Sequence, residues 1–310
     1  MRAALLAPLH NQRGVALLLV LVVTSLLALL ISELAFSTLV DLRLAQTQRD
    51  STQASYLARG GLQLGRSLLS RDTNSYDGAD ELWAQGLQQY PVGDFGLLSL
   101  QLQPLDGRIN LNRLIHSSGN TDAVVKDQLL RLFELLGLDQ PHQRVDALID
   151  WLDADDIAEP AGAESTVYAR RDPPLRCRNG PLETVAELAL VEGFSAADIE
   201  RLRPHVDVKG DSRLHLNSAS AEVLCALCAE LDIERAEQIV RRRQTQPFRQ
   251  LEELQQLPRW EDFYWALSPQ LKTRAVYYRI DSQAQINQGF YRIEAIVQKD
   301  NDRLLRFRVY

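Results

Sequence analysis

The sequence predicts an α+β protein with one long N-terminal helix and an antiparallel sheet that is interrupted by a large all-helical insertion. Three observations predict it. An uncharged apolar run near the start passes into a helical pattern with no proline between. A period of two appears near residue 100 and returns over the last residues of the chain. Between these stretches the apolar period is helical, and two short patterns recur.

Val15 to Ile31 are 17 residues, apolar except Thr24 and Ser25, and no charge follows until Glu33. At about 1.5 Å per residue such a helix spans roughly 25 Å, close to a bilayer core. Arg2 and Arg13 precede the run, so the positive-inside tendency expects residues 1–14 in the cytoplasm and the bulk outside. A secretory signal peptide would have a shorter core and small residues at its end. Here the glycine, Gly14, lies before the run. No proline occurs between Ser32 and Ser70, and Leu57, Gly61, Leu64 and Leu68 share one helical face. Gly60, Gly61 and Gly65 are expected to weaken that helix by about 1 kcal/mol each relative to alanine.

After a polar stretch, Leu97, Leu98, Leu100 and Leu102 predict a strand that ends at the Asp106-Gly107 turn. Three more strands are expected over 277–286, 290–299 and 303–310, with turns at Gln288-Gly289 and Asp300-Asn301. The sheet is therefore assigned to 71–107 and 275–310, and the insertion to 108–274. Within the insertion, Val125, Leu129, Leu132, Phe133 and Leu136 share a helical face that Gly137 ends. Pro141 opens a second helix with Val145, Leu148, Ile149 and Leu152 inward. Arg108-Ile-Asn-Leu-Asn112 is echoed by Arg213-Leu-His-Leu-Asn217. Pro181, Leu182, Val185, Glu187 and Leu188 recur as Pro247, Phe248, Leu251, Glu253 and Leu254. The echoes suggest two related helical subunits, 108–212 and 213–274.

The 310 residues carry a formal charge of −7, which argues against a broad nucleic-acid footprint. No phosphate loop, dinucleotide fingerprint, nucleophile elbow or zinc-protease helix occurs, so no enzymatic activity is expected. Cys225 and Cys228 lie in the apolar run Val223 to Leu231 and read as buried small hydrophobes. In an oxidising compartment Cys177 could bridge to one of them. Trp260, Tyr264 and Trp265 read as core more than as interface anchors.

Asp150, Asp153, Asp155, Asp156, Glu159 and Glu164 crowd one short stretch, with Pro160 and Gly162 marking a loop. Carboxylate oxygens on a flexible loop suit calcium, although there is no EF-hand pattern. The alternative is a solvated acidic helix end, which would oppose the helix dipole and need compensating charge. A different class of function is offered by residues 214–248, which are similar to the helix-hairpin-helix of membrane-anchored DNA receptors, with Arg241, Arg242 and Arg243 placed for phosphates. That motif needs Gly-hydrophobic-Gly for backbone amides to approach phosphate, and no glycine occurs between Gly210 and Gly289. No nucleic-acid partner is expected.

The basic leader ending in Gly14, the apolar helix after it and the amphipathic continuation resemble a type IV prepilin or type II secretion pseudopilin. Arg108-Ile-Asn-Leu-Asn112, Leu148-Ile-Asp-Trp-Leu-Asp-Ala-Asp155, Gly162-Ala-Glu164, Val185-Ala-Glu-Leu188 and Leu216-Asn-Ser-Ala219 narrow this to the K-type minor pseudopilins of type II secretion systems. The resemblance implies a leader, 1–14, cut from the chain between Gly14 and Val15 by prepilin peptidase, with N-methylation of Val15. The mature chain would have 296 residues and a formal charge of −9. It implies a transmembrane helix over 15–31, a periplasmic continuation over 32–70, and a pilin-like sheet carrying two SAM-like, or helix-hairpin-helix-like, units. The family lacks the assembly glutamate at the fifth mature position, here Leu19. A structural calcium ion is implied, held by Asp153, Asp155, Asp156 and Glu164 with Asn179 as a fifth, while Asp150 is expected to cap or pair. Ser165 stands where relatives often have an acid. The implied role is a single-pass inner-membrane subunit at the pseudopilus tip that initiates or caps assembly and supports export across the outer membrane. Implied partners are the I- and J-type minor pseudopilins, with the H-type and the major pseudopilin beyond them. A minor type IV pilin is the neighbouring alternative.

Overall fold

A computed structural model describes residues 12–94, 96–258 and 260–310. Most of the expected leader lies outside the described residues, and its last three residues are already helical. Helix α1 runs unbroken over Gln12–Arg71, 60 residues or roughly 90 Å. It is exposed from Gly14 to Arg49 and first buried at Asp50. The reason is the sequence: apolar side chains cover every side up to Leu44, and a single buried face appears only afterwards.

That face consists of Ala54, Ala58, Gly61, Leu62, Gly65 and Leu69. It is rotated by about one position from the expected Leu57–Leu64 face, and Leu64 is 41% exposed. Small residues decide the rotation. A β-carbon on Gly61 would overlap the Ser282 hydroxyl and come within 2.8 Å of Leu98 Cδ1, and one on Gly65 would meet Ile280. Ser282 Oγ, fully buried, donates to the Ala58 carbonyl at 2.8 Å. The glycines therefore let α1 lie close on the sheet, a packing role that outweighs their helix propensity.

The short helix α2 (Leu82–Gln85) precedes strands β1 (Leu87–Val92) and β2 (Gly96–Pro104). They join β7 (Tyr277–Ile286), β8 (Gly289–Gln298) and β9 (Arg303–Val309) in one antiparallel sheet of order β1-β2-β7-β8-β9. Leu98, Leu100 and Leu102 on β2, Tyr278 and Ile280 on β7, and Ile293, Ala295 and Val297 on β8 form the core beneath α1. Strand β1 was not expected from sequence. As an edge strand it buries neither face fully, so Gln88, Gln89 and Tyr90 show no alternation, and its edge position tolerates Pro91.

The insertion leaves the sheet after β2 and returns before β7. In chain order it holds β3 (Ile109–Asn110), α3 (Ala123–Leu135), α4 (Pro141–Leu152), α5 (Ser165–Tyr168), α6 (Ala196–Leu202) and β4 (Val206–Asp207). Then come β5 (Leu214–His215), α7 (Ala221–Leu227), α8 (Ile233–Thr245), α9 (Glu261–Leu267) and β6 (Leu271–Lys272). It is mostly helical, and "all-helical" needs correction: β3 pairs in parallel with β4, and β5 with β6. Each two-residue pair ties the first and last residues of one half together, a closure too short to leave a period-two signal.

The repeated motifs make the same bonds twice. Asn112 Nδ2 donates to the Leu182 and Val208 carbonyls, and its Oδ1 accepts from the Leu182 amide at 2.7 Å. Asn217 Nδ2 donates to the Asp77 and Phe248 carbonyls, and its Oδ1 accepts from the Phe248 amide at 2.9 Å. Glu187 and Glu253 then close equivalent capping boxes on Thr184 and Gln250. One apolar core runs through both halves.

Helix α7 stops at Leu227, so Cys228 is its extended C-cap instead of lying inside a longer helix. All three cysteines are free thiols. Trp260 and Tyr264 are core residues, whereas Trp265 is 75% exposed, contrary to the core expectation for it.

Candidate metal centre

Helix α4 aims its carboxyl end at the acidic loop. Asp153 is the C-cap, its amide bonded to the Ile149 carbonyl at 2.9 Å. The chain then turns through 154–163 and returns at Glu164, the N-cap of α5. Gly162 makes this return possible, because a β-carbon there would overlap the Asp150 carboxylate. Asp150 is fully buried and accepts from the Glu159 amide at 2.9 Å through Oδ1.

The loop brings Asp153, Asp155 and Glu164 together, one carboxylate oxygen from each lying within 4.8 Å of the others. Asp153 is 9% exposed and Glu164 4%. Lys126, the nearest cation to the loop's acids by ion-pair distance, is engaged by Asp146 at 2.9 Å and Glu159 at 3.7 Å. Among the described residues no basic side chain pairs with Asp153, Asp155, Asp156 or Glu164. Four side-chain oxygens are buried without any hydrogen-bond donor: Asp150 Oδ2, Asp153 Oδ1, Glu164 Oε1 and Asn179 Oδ1. Leaving such atoms unpaired costs about 1–3 kcal/mol each, more when charged.

The electrostatics follow. Burial, then Asp155 and Asp150, push Asp153 up to about 6. Burial pushes Glu164 up to about 7, against the Ser165 amide that favours its charged form. The donors are all oxygens, the chemistry of a hard dication such as calcium. Cys177 adds no soft ligand: its Sγ donates to the Asp150 carbonyl at 3.1 Å, and burial pushes its thiol up to about 11. The donor set and the orphaned oxygens fit calcium.

Of the five expected ligands, Asp153, Asp155 and Glu164 converge. Asp156 and Asn179 lie beside them and bond to each other, Asn179 Nδ2 reaching Asp156 Oδ1 at 3.3 Å and the Asp155 carbonyl at 2.9 Å. Asn179 therefore offers its free Oδ1. Asp150, expected only to cap or pair, does accept a backbone amide, but its second oxygen also faces no donor. That could not be read from spacing, since it depends on the approach of Gly162.

A second acidic group, Asp72, Asp77 and Glu81, already contains its cation. Lys299 Nζ donates to Asp72 and Asp77, each at 2.7 Å. Glu81 accepts from Asn74, the Gly78 amide and Trp83 Nε1. The arginines considered for phosphate are engaged as well. Arg243 donates to the Leu216 and Ala219 carbonyls, Arg242 pairs with Glu253 at 2.9 Å, and Arg241 pairs with Glu237 at 3.0 Å.

At the other end, Gly14, Val15 and Leu19 lie on the exposed part of α1, Val15 69% and Leu19 62% accessible. This helix is long and apolar enough to cross a membrane. An apolar helix continuous with one packed on an antiparallel sheet defines a pilin-like subunit, with one candidate anchor among the described residues. Two family models, both described as type II secretion system (T2SS), protein K, match residues 107–211 and 214–274. Type II secretion system protein K of Pseudomonas aeruginosa is 33% identical over 74% of this chain and 72% of that protein. Its namesake from Klebsiella pneumoniae is 32% identical over 76% of each. The chain belongs to the type II secretion system protein K family. A chain from the crystal structure of the GspK-GspI-GspJ complex of enterotoxigenic Escherichia coli shares the fold, with a TM-score of 0.66 and 19% identity over 86% of this chain and 99% of that one.

Proposed function

We propose that this family member is a minor pseudopilin at the tip of the type II secretion pseudopilus. There it joins I- and J-type minor pseudopilins to initiate or cap assembly, and so supports export across the outer membrane. The observation that carries this reading is the shape of the chain: a bare helix of pilin type bearing a sheet and the large insertion between β2 and β7. An insertion of that bulk does not fit beneath another subunit and suits the end of a fibre. Fold similarity to a chain of the GspK-GspI-GspJ complex supports the choice of partners.

In this reading prepilin peptidase cuts between Gly14 and Val15 and methylates the Val15 amine. Val15 to Ile31 then span the inner membrane once, and the rest is periplasmic. Leu19 brings no carboxylate into the bilayer, where an unpaired charge is costly. The chain has no enzymatic role and no nucleic-acid partner; the H-type and major pseudopilins would be met further down the fibre.

Calcium belongs to the same reading. Asp153, Asp155 and Glu164 would hold it, with Asn179 Oδ1 and Asp156 beside them. When bound, the ion supplies the positive charge that these buried oxygens lack. The protein's own part is to hold the end of α4, the start of α5 and the 177–180 segment in one place.

Co-expression of the full chain with the I- and J-type pseudopilins of its own secretion system tests the assignment. Membrane extraction and size-exclusion chromatography with mass measurement should give one complex containing all three. A chain that elutes without either partner, while those two still associate, contradicts it.

A further inference from the structure

A cleft of about 170 Å³ lies where the insertion meets the face of the sheet opposite α1. Five arginines line it: Arg108 and Arg203 from the insertion, and Arg279, Arg306 and Arg308 from β7 and β9. Two acidic side chains, Asp207 and Glu294, stand against them in the lining, beside the terminal Tyr310. The chain as a whole is acidic, so this is a local concentration of positive charge and not the general character of the surface.

The two acidic side chains do not satisfy the arginines. Asp207 Oδ2 is shared by Arg108 Nη1 at 3.2 Å and Arg279 Nη2 at 3.0 Å, and Oδ1 is taken by the Val208 amide. Glu294 is 3.9 Å from Arg306 Nη2, beyond hydrogen-bond distance. Arg279 Nε and Arg306 Nε are buried with no acceptor. Arg203 is held from outside the cleft by Glu200. Arg308 has no ion pair among the described residues. Burial and the neighbouring Arg279 hold the Arg108 guanidinium below its ordinary range, as expected where cations outnumber anions.

We propose that this cleft binds one small oxyanion, of phosphate or carboxylate chemistry, through Arg279, Arg306 and Arg308. Guanidinium forks match the planar or tetrahedral oxygens of such groups and bind them by paired, charge-assisted hydrogen bonds. All three come from the sheet, on β7 and β9, while Arg108 and Arg203 of the insertion line the same cavity and add to its positive charge. The inference is independent of the secretion role and of calcium.

Isothermal titration of the full chain in a nonionic detergent, at ionic strength fixed with sodium chloride, tests it with two probes, inorganic phosphate and citrate. Saturable binding of at least one is expected. Arg308→Gln, which alters an exposed side chain with no ion pair, should weaken it, and Arg306→Gln with Arg308→Gln should weaken it by at least about tenfold. Arg241→Gln, an exposed side chain of α8 outside the lining, should leave it unchanged. Binding of phosphate alone identifies a free inorganic anion as the source, and binding of citrate alone identifies a carboxylate ligand. Absence of saturable binding by both, or equal binding by the double variant, overturns the proposal.

Discussion

His215 shows how one side chain can carry a pH dependence while taking no part in a site. Its Nδ1 meets Ser218 Oγ at 2.8 Å, and Nε2 lies 3.1 Å from both the Asp77 and Thr273 carbonyls. Burial dominates and pulls its pKa down to about 3; the two carbonyls oppose this, and Lys272 and Arg243 add to it. The unfolded chain therefore takes up this proton first as pH falls. The stabilisation from neutral His215 is complete above about pH 6.5 and is lost as pH falls towards 3. Carbon-13 and nitrogen-15 shifts should report a neutral ring at pH 5; a protonated ring there contradicts the burial account. The acidic loop has the opposite requirement, since its buried oxygens lack positive charge. Calcium at 100 times its dissociation constant should stabilise the chain by about 2.7 kcal/mol, a melting shift of a few degrees. Glu164→Gln and Asp153→Asn should abolish that shift while melting no lower than wild type in chelator. A wild-type melt that is the same in calcium and in chelator removes the ion from the account.

Elements are held together by contacts that sequence shows only in part. The Asn112 and Asn217 echoes are legible because a repeat needs no knowledge of tertiary structure. The partners they select, Leu182 and Phe248, sit in the second echo. Either asparagine changed to alanine strands two carbonyls and an amide, and each change should cost roughly 2–4 kcal/mol in denaturant unfolding. A cost under about 0.5 kcal/mol would show that the motif is dispensable. Packing on the sheet was less legible. Gly61 reads as a helix weakener by propensity, yet Ser282 and Leu98, more than thirty residues away, make it necessary. Gly60, one residue earlier, meets nothing within 4 Å. Gly61→Ala should therefore destabilise by about 1–3 kcal/mol, and Gly60→Ala should stabilise by up to about 1 kcal/mol. Equal effects from the two would rule out close packing as the cause. Strand β1 was invisible because an edge strand needs no apolar alternation. In the site, the carboxylates were legible as a cluster in one loop. The Asp150–Gly162 contact and the neutralisation of Asp146 by Lys126 were not, since the first depends on how the loop folds back on α4 and the second on how α3 meets α4.

At the scale of the whole molecule, charge and shape divide the chain into parts with separate tasks. Gly14 to Arg49 of α1 are exposed, and the apolar side chains among them are open to lipid or neighbouring helices. From Asp50 onward the helix is committed to the sheet. Asp106 then joins the sheet to the insertion, its Oδ2 accepting from Lys272 Nζ and the Val276 amide, each at 2.6 Å. In the proposed function a bare helix fixed to a broad head is the form of a fibre-end subunit, and the N-terminus is where that proposal meets its most direct test. The decisive measurement is the intact mass and N-terminal residue of the protein isolated from membranes of a host with active prepilin peptidase. A chain that begins at N-methylated Val15 is the predicted result. A chain that still carries residues 1–14 would contradict the pseudopilin account.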